Sequence, residues 1–295
     1  MLRNGFDGIK KPYLRIIHRY GWYDTVCPAP IYRNVFENPV WYTSYTPYQA
    51  EISQGRLEAL MNFQTMVSDL TALPLSNCSL LDEATAGAEA ATMMFNLRSR
   101  DQIKNGANKL FVDKNIFPQT LAVINTRMAP QGIEVVAGDY KIIDLKDGFF
   151  GGAVIQYPDS NGNVVDYKGF TEKAHAVDCK VAVATDLMAL TLLVPPGEWG
   201  GADIAFGSSQ RFGIPMFYGG PSAGFFATKK ITNVIFRDVS SDFLKMPMVN
   251  RLIAWLCKPA NNISNARKRR PIYVRLRLCW LLCPVSMPYI MGQKD

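Results

Sequence analysis

Polar and aromatic side chains crowd into a few short stretches of this chain, and chemistry could reside there. The densest is Trp41-Tyr-Thr-Ser-Tyr-Thr-Pro-Tyr-Gln49, continuing Glu51-Ile-Ser-Gln-Gly-Arg56. Tyr42, Tyr45 and Tyr48, with Gln49, Glu51 and Arg56, could line a polar pocket, stacking on a planar ligand while offering hydrogen bonds. The competing reading is an arm whose rings pack on a domain surface. Leu80-Leu-Asp-Glu-Ala-Thr-Ala-Gly-Ala-Glu89 opens a helix with small residues, and free N–H groups at such a start can hold a phosphate. Asp82 and Glu83, however, already complement the helix dipole in the first turn and would repel one, which favours a tightly packed, self-capped helix. Asp186 follows a β-branched apolar run, where an acid could pair with a protonated ring nitrogen or could cap a turn. Gly207-Ser-Ser-Gln-Arg-Phe-Gly213 offers hydroxyl, amide and guanidinium groups but no lysine. Neither His18 nor His175 sits beside a nucleophile, and Lys229 with Lys230 reads as a solvated strand end rather than a reactive amine. Cys27, Cys78, Cys179, Cys257, Cys279 and Cys283 form no CxxC pair, which argues against a zinc site or a disulfide framework and for reduced thiols in a cytoplasm-like compartment.

The elements that would position these groups alternate. A helix is expected over 54–70, with Ser53 as its N-cap and Leu57, Leu60, Met61, Val67 and Leu70 on one stripe. A second, rich in Ala and Met, is expected over 82–98. Strands then read at 109–113, 133–137, 153–157, 181–185, 202–206 and 224–227, with helices at 118–128 and 170–177 among them. The run 181–185 suits a strand buried on both faces. Alternation of this kind predicts an α/β domain with a mostly parallel sheet, and ligands in such sheets gather at the C-terminal strand ends, near Asp113, Asp186 and 207–211. Residues 1–52, rich in aromatic residues and proline without a clean period, read as an extended arm.

Composition sets the outer bounds. Of 295 residues, 48% are hydrophobic and 19% charged, which excludes a disordered, collagenous or coiled-coil chain. No apolar run reaches the roughly 20 residues of a membrane helix; the longest, 278–292, is broken by Pro284 and Pro288. No signal peptide is visible, so no membrane association is expected. The net charge of +7 is unevenly placed: 231–295 holds 11 basic and 3 acidic residues, against 21 and 22 in 1–230. Nucleic-acid affinity is therefore not expected of the main body, and the basic run in 266–270 reads as solvated charge.

Several motifs match a specific pattern together. The stretch 41–56, Phe117-Pro-Gln-Thr-Leu121, Pro196-Gly-Glu-Trp-Gly-Gly-Ala-Asp203, the segment 207–215, Gly219-Gly-Pro221 and Phe225-Phe-Ala-Thr228 resemble the P-protein of the glycine cleavage system, the decarboxylating glycine dehydrogenase, over about 21–230. The resemblance implies an α/β, aspartate-aminotransferase-like (fold type I) large domain, incomplete here, and a pyridoxal-phosphate enzyme. Such an enzyme removes the carboxylate of glycine as carbon dioxide and passes the aminomethyl group to the lipoyl arm of a carrier protein (H-protein). The family is built from two homologous halves, and this sequence resembles the N-terminal one. In the other half a lysine forms the Schiff base. Anchoring that half's motif on Gly213-Ile-Pro215 puts Gln210 at the lysine's position, and an amide forms no imine. Asp186 falls near the position of the aspartate that steadies the pyridinium nitrogen. The resemblance thus implies a half that holds no cofactor by itself, lacks a catalytic residue and a metal, and completes the active-site region of the lysine-bearing half or subunit through Tyr42, Tyr45, Tyr48, Gln49, Glu51 and Arg56. A purely non-catalytic interaction subunit is the alternative. Its compartment would be the cytoplasm for a bacterial-type chain and the mitochondrial matrix for a eukaryotic one.

The resemblance divides the chain into an arm (1–52), an incomplete large domain (53–230) and a basic tail (231–295) that departs from the family pattern. The family pattern also implies a missing N-terminal piece and a missing small C-terminal domain. Codons permitted for the tail include a string whose neighbouring frame reads ALQTREQHI, then a basic run ending KATSN, as relatives do. The tail is thus expected to be an out-of-frame, poorly ordered segment. Sequencing the coding DNA should show a neighbouring frame that restores the family segment; DNA without such a frame would refute this.

Overall fold

The computed structural model describes residues 21–23, 25–42, 54–77, 79–145, 149–199, 201–216 and 222–229, with the backbone alone at Tyr42. Helix α1 (Gln54–Thr71) leads to the short strand β1 (Leu75–Ser76), then to α2 (Glu83–Asn96) and α3 (Arg100–Lys104). Strand β2 (Lys109–Asp113), α4 (Pro118–Met128), β3 (Glu134–Gly138) and β4 (Phe150–Tyr157) follow, and α5 (Lys168–Ala176), β5 (Lys180–Asp186), β6 (Ile204–Ser208) and β7 (Gly224–Thr228) complete the series. The seven strands form one sheet in the order β1-β7-β6-β5-β4-β2-β3. From β6 to β3 all neighbours are parallel; β7 runs antiparallel to β6, and β1 to β7.

Strand β5 shows how the sequence builds the layers. Its Val181 and Val183 join the apolar cluster under α1 and α5, while Ala182 and Ala184 join the one under α2 and α4. All four are fully buried, so the strand reads as an unbroken β-branched and small-residue run. On the second face the layers lie very close. A Cβ on Gly87 of α2 would come within 2.9 Å of the Phe206 ring on β6, so the alanine-rich face of α2 sets the helix-to-sheet distance. That close approach holds the first turn of α2 over the C-terminal ends of the central strands.

Helices α1, α2 and α4, strand β2 and the remaining parallel strands fall where their periodicity puts them, within a few residues at the ends. Asp82 is the cap of α2 rather than its first residue, accepting from Thr85 N at 2.6 Å. Residues 29–42, expected to be extended, instead make three short helical segments, Ala29–Ile31, the π-helical Tyr32–Phe36 and Pro39–Tyr42. Ile31 and Val35, four residues apart, are buried with Cys27, Phe36, Trp41 and Ala59 of α1 packed about them. One apolar pair between prolines is too little periodicity to read. Strand β1 and α3 were also not expected, although Ser99 and Gln102 form a capping box for α3 whose S-x-x-Q spacing is visible in the sequence.

The N-terminal ends of the strands are closed by a charge network. Asp203 accepts from His175 Nε2 (2.8 Å) and Val181 N (2.9 Å), and its other oxygen meets Lys229 Nζ at 3.3 Å. Burial pushes the Asp203 carboxyl up, but His175, the Val181 N–H and Lys229 together hold it below the usual range. Lys229 therefore corrects the expectation of a solvated strand end: it is tied to Asp203 and to the Gly201 carbonyl. Lys230 lies outside the described residues, as does the tail from 231.

Gly207 is the tightest point of the sheet, where a Cβ would fall 1.8 Å from the Thr185 carbonyl oxygen on β5. Gly207→Ala is expected to lower the unfolding free energy by about 3 kcal/mol or more, or to prevent folding. Gly55→Ala on α1, whose Cβ meets nothing within 4 Å, should be neutral or stabilising when both variants are compared by urea titration.

Candidate functional site

A cavity of about 820 Å³ opens at the C-terminal ends of β2, β4, β5 and β6, beneath the start of α2. Four elements supply its polar wall. The first turn of α2 brings Glu83, the end of β5 brings Asp186, the turn after β6 brings Gln210 and Arg211, and the segment ahead of the first helical turn brings Tyr23.

That last segment is stitched across the cavity by one side chain. The Gln210 carboxamide, only 1% exposed, donates through Nε2 to the Tyr23 carbonyl (3.0 Å) and the Ile214 carbonyl (2.8 Å). Thr25 Oγ1 donates to the same Ile214 oxygen at 2.8 Å. Gly21 permits the approach, with φ at +84° and room for no Cβ beside the Phe117 ring (2.9 Å) and Glu83 Oε2 (3.3 Å). Gln210 Oε1 is buried and has no partner among the described residues.

Asp186 is committed on both oxygens. Oδ1 accepts from Met188 N at 2.9 Å, which makes it a turn cap, and Oδ2 pairs with Arg211 Nη1. The Arg211 guanidinium also lies over the Tyr23 ring, 4.8 Å from its centre. Glu83 has no cationic partner among the described residues. Burial, then the charges of Asp186 and Asp82, push its carboxyl up to about 8. Burial first and Asp186 second raise the Tyr23 phenol, with Arg211 opposing them. At the end of β2, Asp113 is fully buried and takes a hydrogen bond from Tyr167 Oη at 3.4 Å, a core contact rather than a cavity one.

The structure thus brings Asp186 and Gln210 into one cavity. Arg56 is elsewhere, on α1, where Nη2 donates to the Val40 carbonyl at 3.1 Å. Tyr45, Tyr48, Gln49 and Glu51 lie outside the described residues, and Tyr42 is described in its backbone alone, ending the segment Pro39–Tyr42. Sequence reasoning missed Tyr23 and Gln156, whose Oε1 accepts from Phe117 N at 2.9 Å. It noticed Glu83 only as a helix-dipole acid; its placement in the first turn was the available signal.

These groups do not fit a covalently held pyridoxal phosphate. Among the described residues the only lining amine is that of Lys114, and its Nζ pairs with Asp139 Oδ2 at 2.9 Å, which raises its pKa and keeps it a cation rather than a nucleophile. Gln210 can form no imine. The helix start that would face a phosphate presents the Asp82 and Glu83 carboxyls instead.

A doubly covered, largely parallel sheet defines an α/β protein, and the polar cavity lies at the C-terminal strand ends, where sheets of this class gather ligands. The family model of the glycine cleavage system P-protein matches residues 10–239, and the chain belongs to that family. Glycine dehydrogenase (decarboxylating) of Bacteroides fragilis is 64% identical over 235 residues, 80% of this chain and 23% of that protein. The Bacteroides thetaiotaomicron protein of the same name gives the same figures, and that of Flavobacterium johnsoniae is 54% identical over 209 residues, covering 71% of this chain and 22% of its own. The chain therefore spans about a quarter of the length of these relatives. Among solved structures, a glycine decarboxylase (P-protein) in inhibitor-bound form superposes with a TM-score of 0.72 at 25% identity, over 98% of this chain and 71% of that one. The fold is accordingly the α/β, fold type I class that the sequence motifs imply. No described helix is long and apolar enough to cross a membrane.

Glu83 has a measurable pH signature. Its folded-state pKa of about 8 lies above the ordinary 4.5, so the folded protein holds the proton across that window while the unfolded chain has lost it. Stability should then fall as pH rises from about 4.5 to about 8 and level off above, by an amount on the order of 5 kcal/mol. Glu83→Gln should remove most of that slope in urea titrations at several pH values.

Proposed function

We propose that this chain serves as the N-terminal portion of a glycine dehydrogenase (decarboxylating) and performs no covalent chemistry of its own. Membership of the P-protein family supports the reaction class. The observation that carries the division of labour is the Gln210 carboxamide, buried where the resemblance puts the other half's lysine and spent on the Tyr23 and Ile214 carbonyls. In the complete enzyme pyridoxal phosphate, held by the lysine-bearing half, supplies the electron sink for loss of carbon dioxide from glycine, and the lipoylated carrier protein takes the aminomethyl group.

The part of this chain is positional. Gln210 and Thr25 fix the segment at 21–25 against the loop ending at Ile214, and the Asp186–Arg211 pair clamps the turn after β6 under the Tyr23 ring. By the family resemblance, Tyr42, Tyr45, Tyr48, Gln49, Glu51 and Arg56 are the residues assigned to completing the partner half's active-site region.

Borohydride reduction of the reconstituted pair, followed by peptide mapping, should label a lysine of the partner half and none of this chain. Exchange of carbon dioxide with glycine should be absent with this chain alone and appear on co-expression with the lysine-bearing half. A pyridoxyl-lysine within this chain would overturn the reading.

A further inference from the structure

The crossover from β5 to β6 presents a surface that the cavity does not use. Its first eleven residues, Leu187-Met-Ala-Leu-Thr-Leu-Leu-Val-Pro-Pro-Gly197, include no charged side chain. Part of this run faces inward, with Leu187 and Leu190 buried beside Trp199 in the apolar cluster under α1 and α5. Leu192 and Val194 face outward, 91% and 53% exposed. The backbone around them is firmly held. Leu192 N and Leu193 N both donate to the Ala189 carbonyl at 3.0 Å, and Trp199 Nε1 donates to the Val194 carbonyl at 3.1 Å. Gly197 N donates to the Thr71 carbonyl at the end of α1 (3.0 Å), and a Cβ on Gly197 would fall 2.2 Å from the Ala72 carbonyl oxygen. The Trp199 ring also meets Tyr167 (5.9 Å), which meets Tyr140 (4.9 Å), and the loops carrying those tyrosines expose Val164 and Ile142. A single exposed leucine is ordinary, but an uncharged, rigidly held run with apolar tips has the composition of an interface core.

Building on the division of labour proposed above, we propose that Leu192 and Val194 form a docking ridge for an apolar surface of the lysine-bearing half. Two features select that occupant. The crossover starts at the cavity, whose wall includes Asp186 and Ala189, and ends at Gly201 and Asp203, which hold Lys229. Chain continuing past Lys229 therefore starts beside the crossover, and the matched relatives have most of their length outside the portion that this chain spans. A body joined there is at high effective concentration for the ridge, whereas a second copy of this chain has no such tether. A strongly charged partner would find no counter-charge along the run 187–197.

Association and accessibility together give the test. The chain would be co-expressed with the lysine-bearing half in three forms: unaltered, doubly substituted Leu192→Asp and Val194→Asp, and Ile103→Asp. Ile103, on α3, is an exposed apolar control at 57% exposure. Sedimentation velocity should show a dissociation constant raised about tenfold or more by the double substitution and changed by no more than about twofold by Ile103→Asp. Leu192→Cys should react with a maleimide in the chain alone and be protected in the complex, as read by peptide mapping. Thermal unfolding would report whether the doubly substituted chain is folded, and if it is not, the protection of the thiol decides alone. Undiminished association of the folded double variant, equal weakening by Ile103→Asp, or a thiol at position 192 that stays reactive in the complex would each overturn the proposal. So would a dimer of the chain alone that the two aspartates abolish, which assigns the ridge to a second copy, or a thiol already unreactive in the monomeric chain, which assigns it to this chain's own residues. Failure of the unaltered chain to form any complex would overturn the division of labour as well, whereas a complex indifferent to the ridge overturns the ridge alone.

Discussion

One carboxamide ties the parts of this cavity together. Gln210 has both N–H donors aimed at main-chain carbonyls 187 residues and 4 residues away, so a single side chain fixes the early segment, the turn after β6 and the loop beyond it. A lysine would reach such a place with a flexible stem and a charge. An amide reaches it neutral and planar, and supplies two directed bonds in a space too dry to solvate an ammonium. The residue type that forecloses imine chemistry is therefore the same one that gives the cavity its shape.

The two ends of the sheet treat charge in opposite ways. At the N-terminal end, Asp203 gathers His175, the Val181 N–H and Lys229, and its carboxyl is held low despite burial. At the C-terminal end, burial first and the charges of Asp186 and Asp82 second push Glu83 up. The first arrangement is a compensated structural lock. The second is an imbalance kept in a cavity, at the strand ends where α/β proteins place their ligands. The close packing of α2 on β6, limited by Gly87 against Phe206, fixes Glu83 there.

The P-protein family and this degenerate wall belong together without contradiction. Under the division of labour proposed above, a half that contributes surface and orientation needs neither the amine nor the phosphate seat. The Asp186–Arg211 pair illustrates the exchange: an acid at a strand end suited to a ring nitrogen is instead neutralised internally and spent on holding a turn.

The sequence alone determined the layers and the family. Period and β-branched runs located α1, α2, α4 and the parallel strands, because each buries a face long enough to leave a repeating pattern, and motif matches such as Gly207–Pro215 identified the P-protein resemblance. It did not determine the short helical segments within 29–42, where Ile31 and Val35 are a single apolar pair, or β1, whose two residues, Leu75 and Ser76, show no period. Nor could it say that Lys229 would be captured by Asp203, that Asp186 would be taken by Arg211, or that Tyr23 would close the cavity. Those contacts join residues separated by tens to nearly two hundred positions, and only the packing of the helices on the sheet brings them within hydrogen-bonding reach.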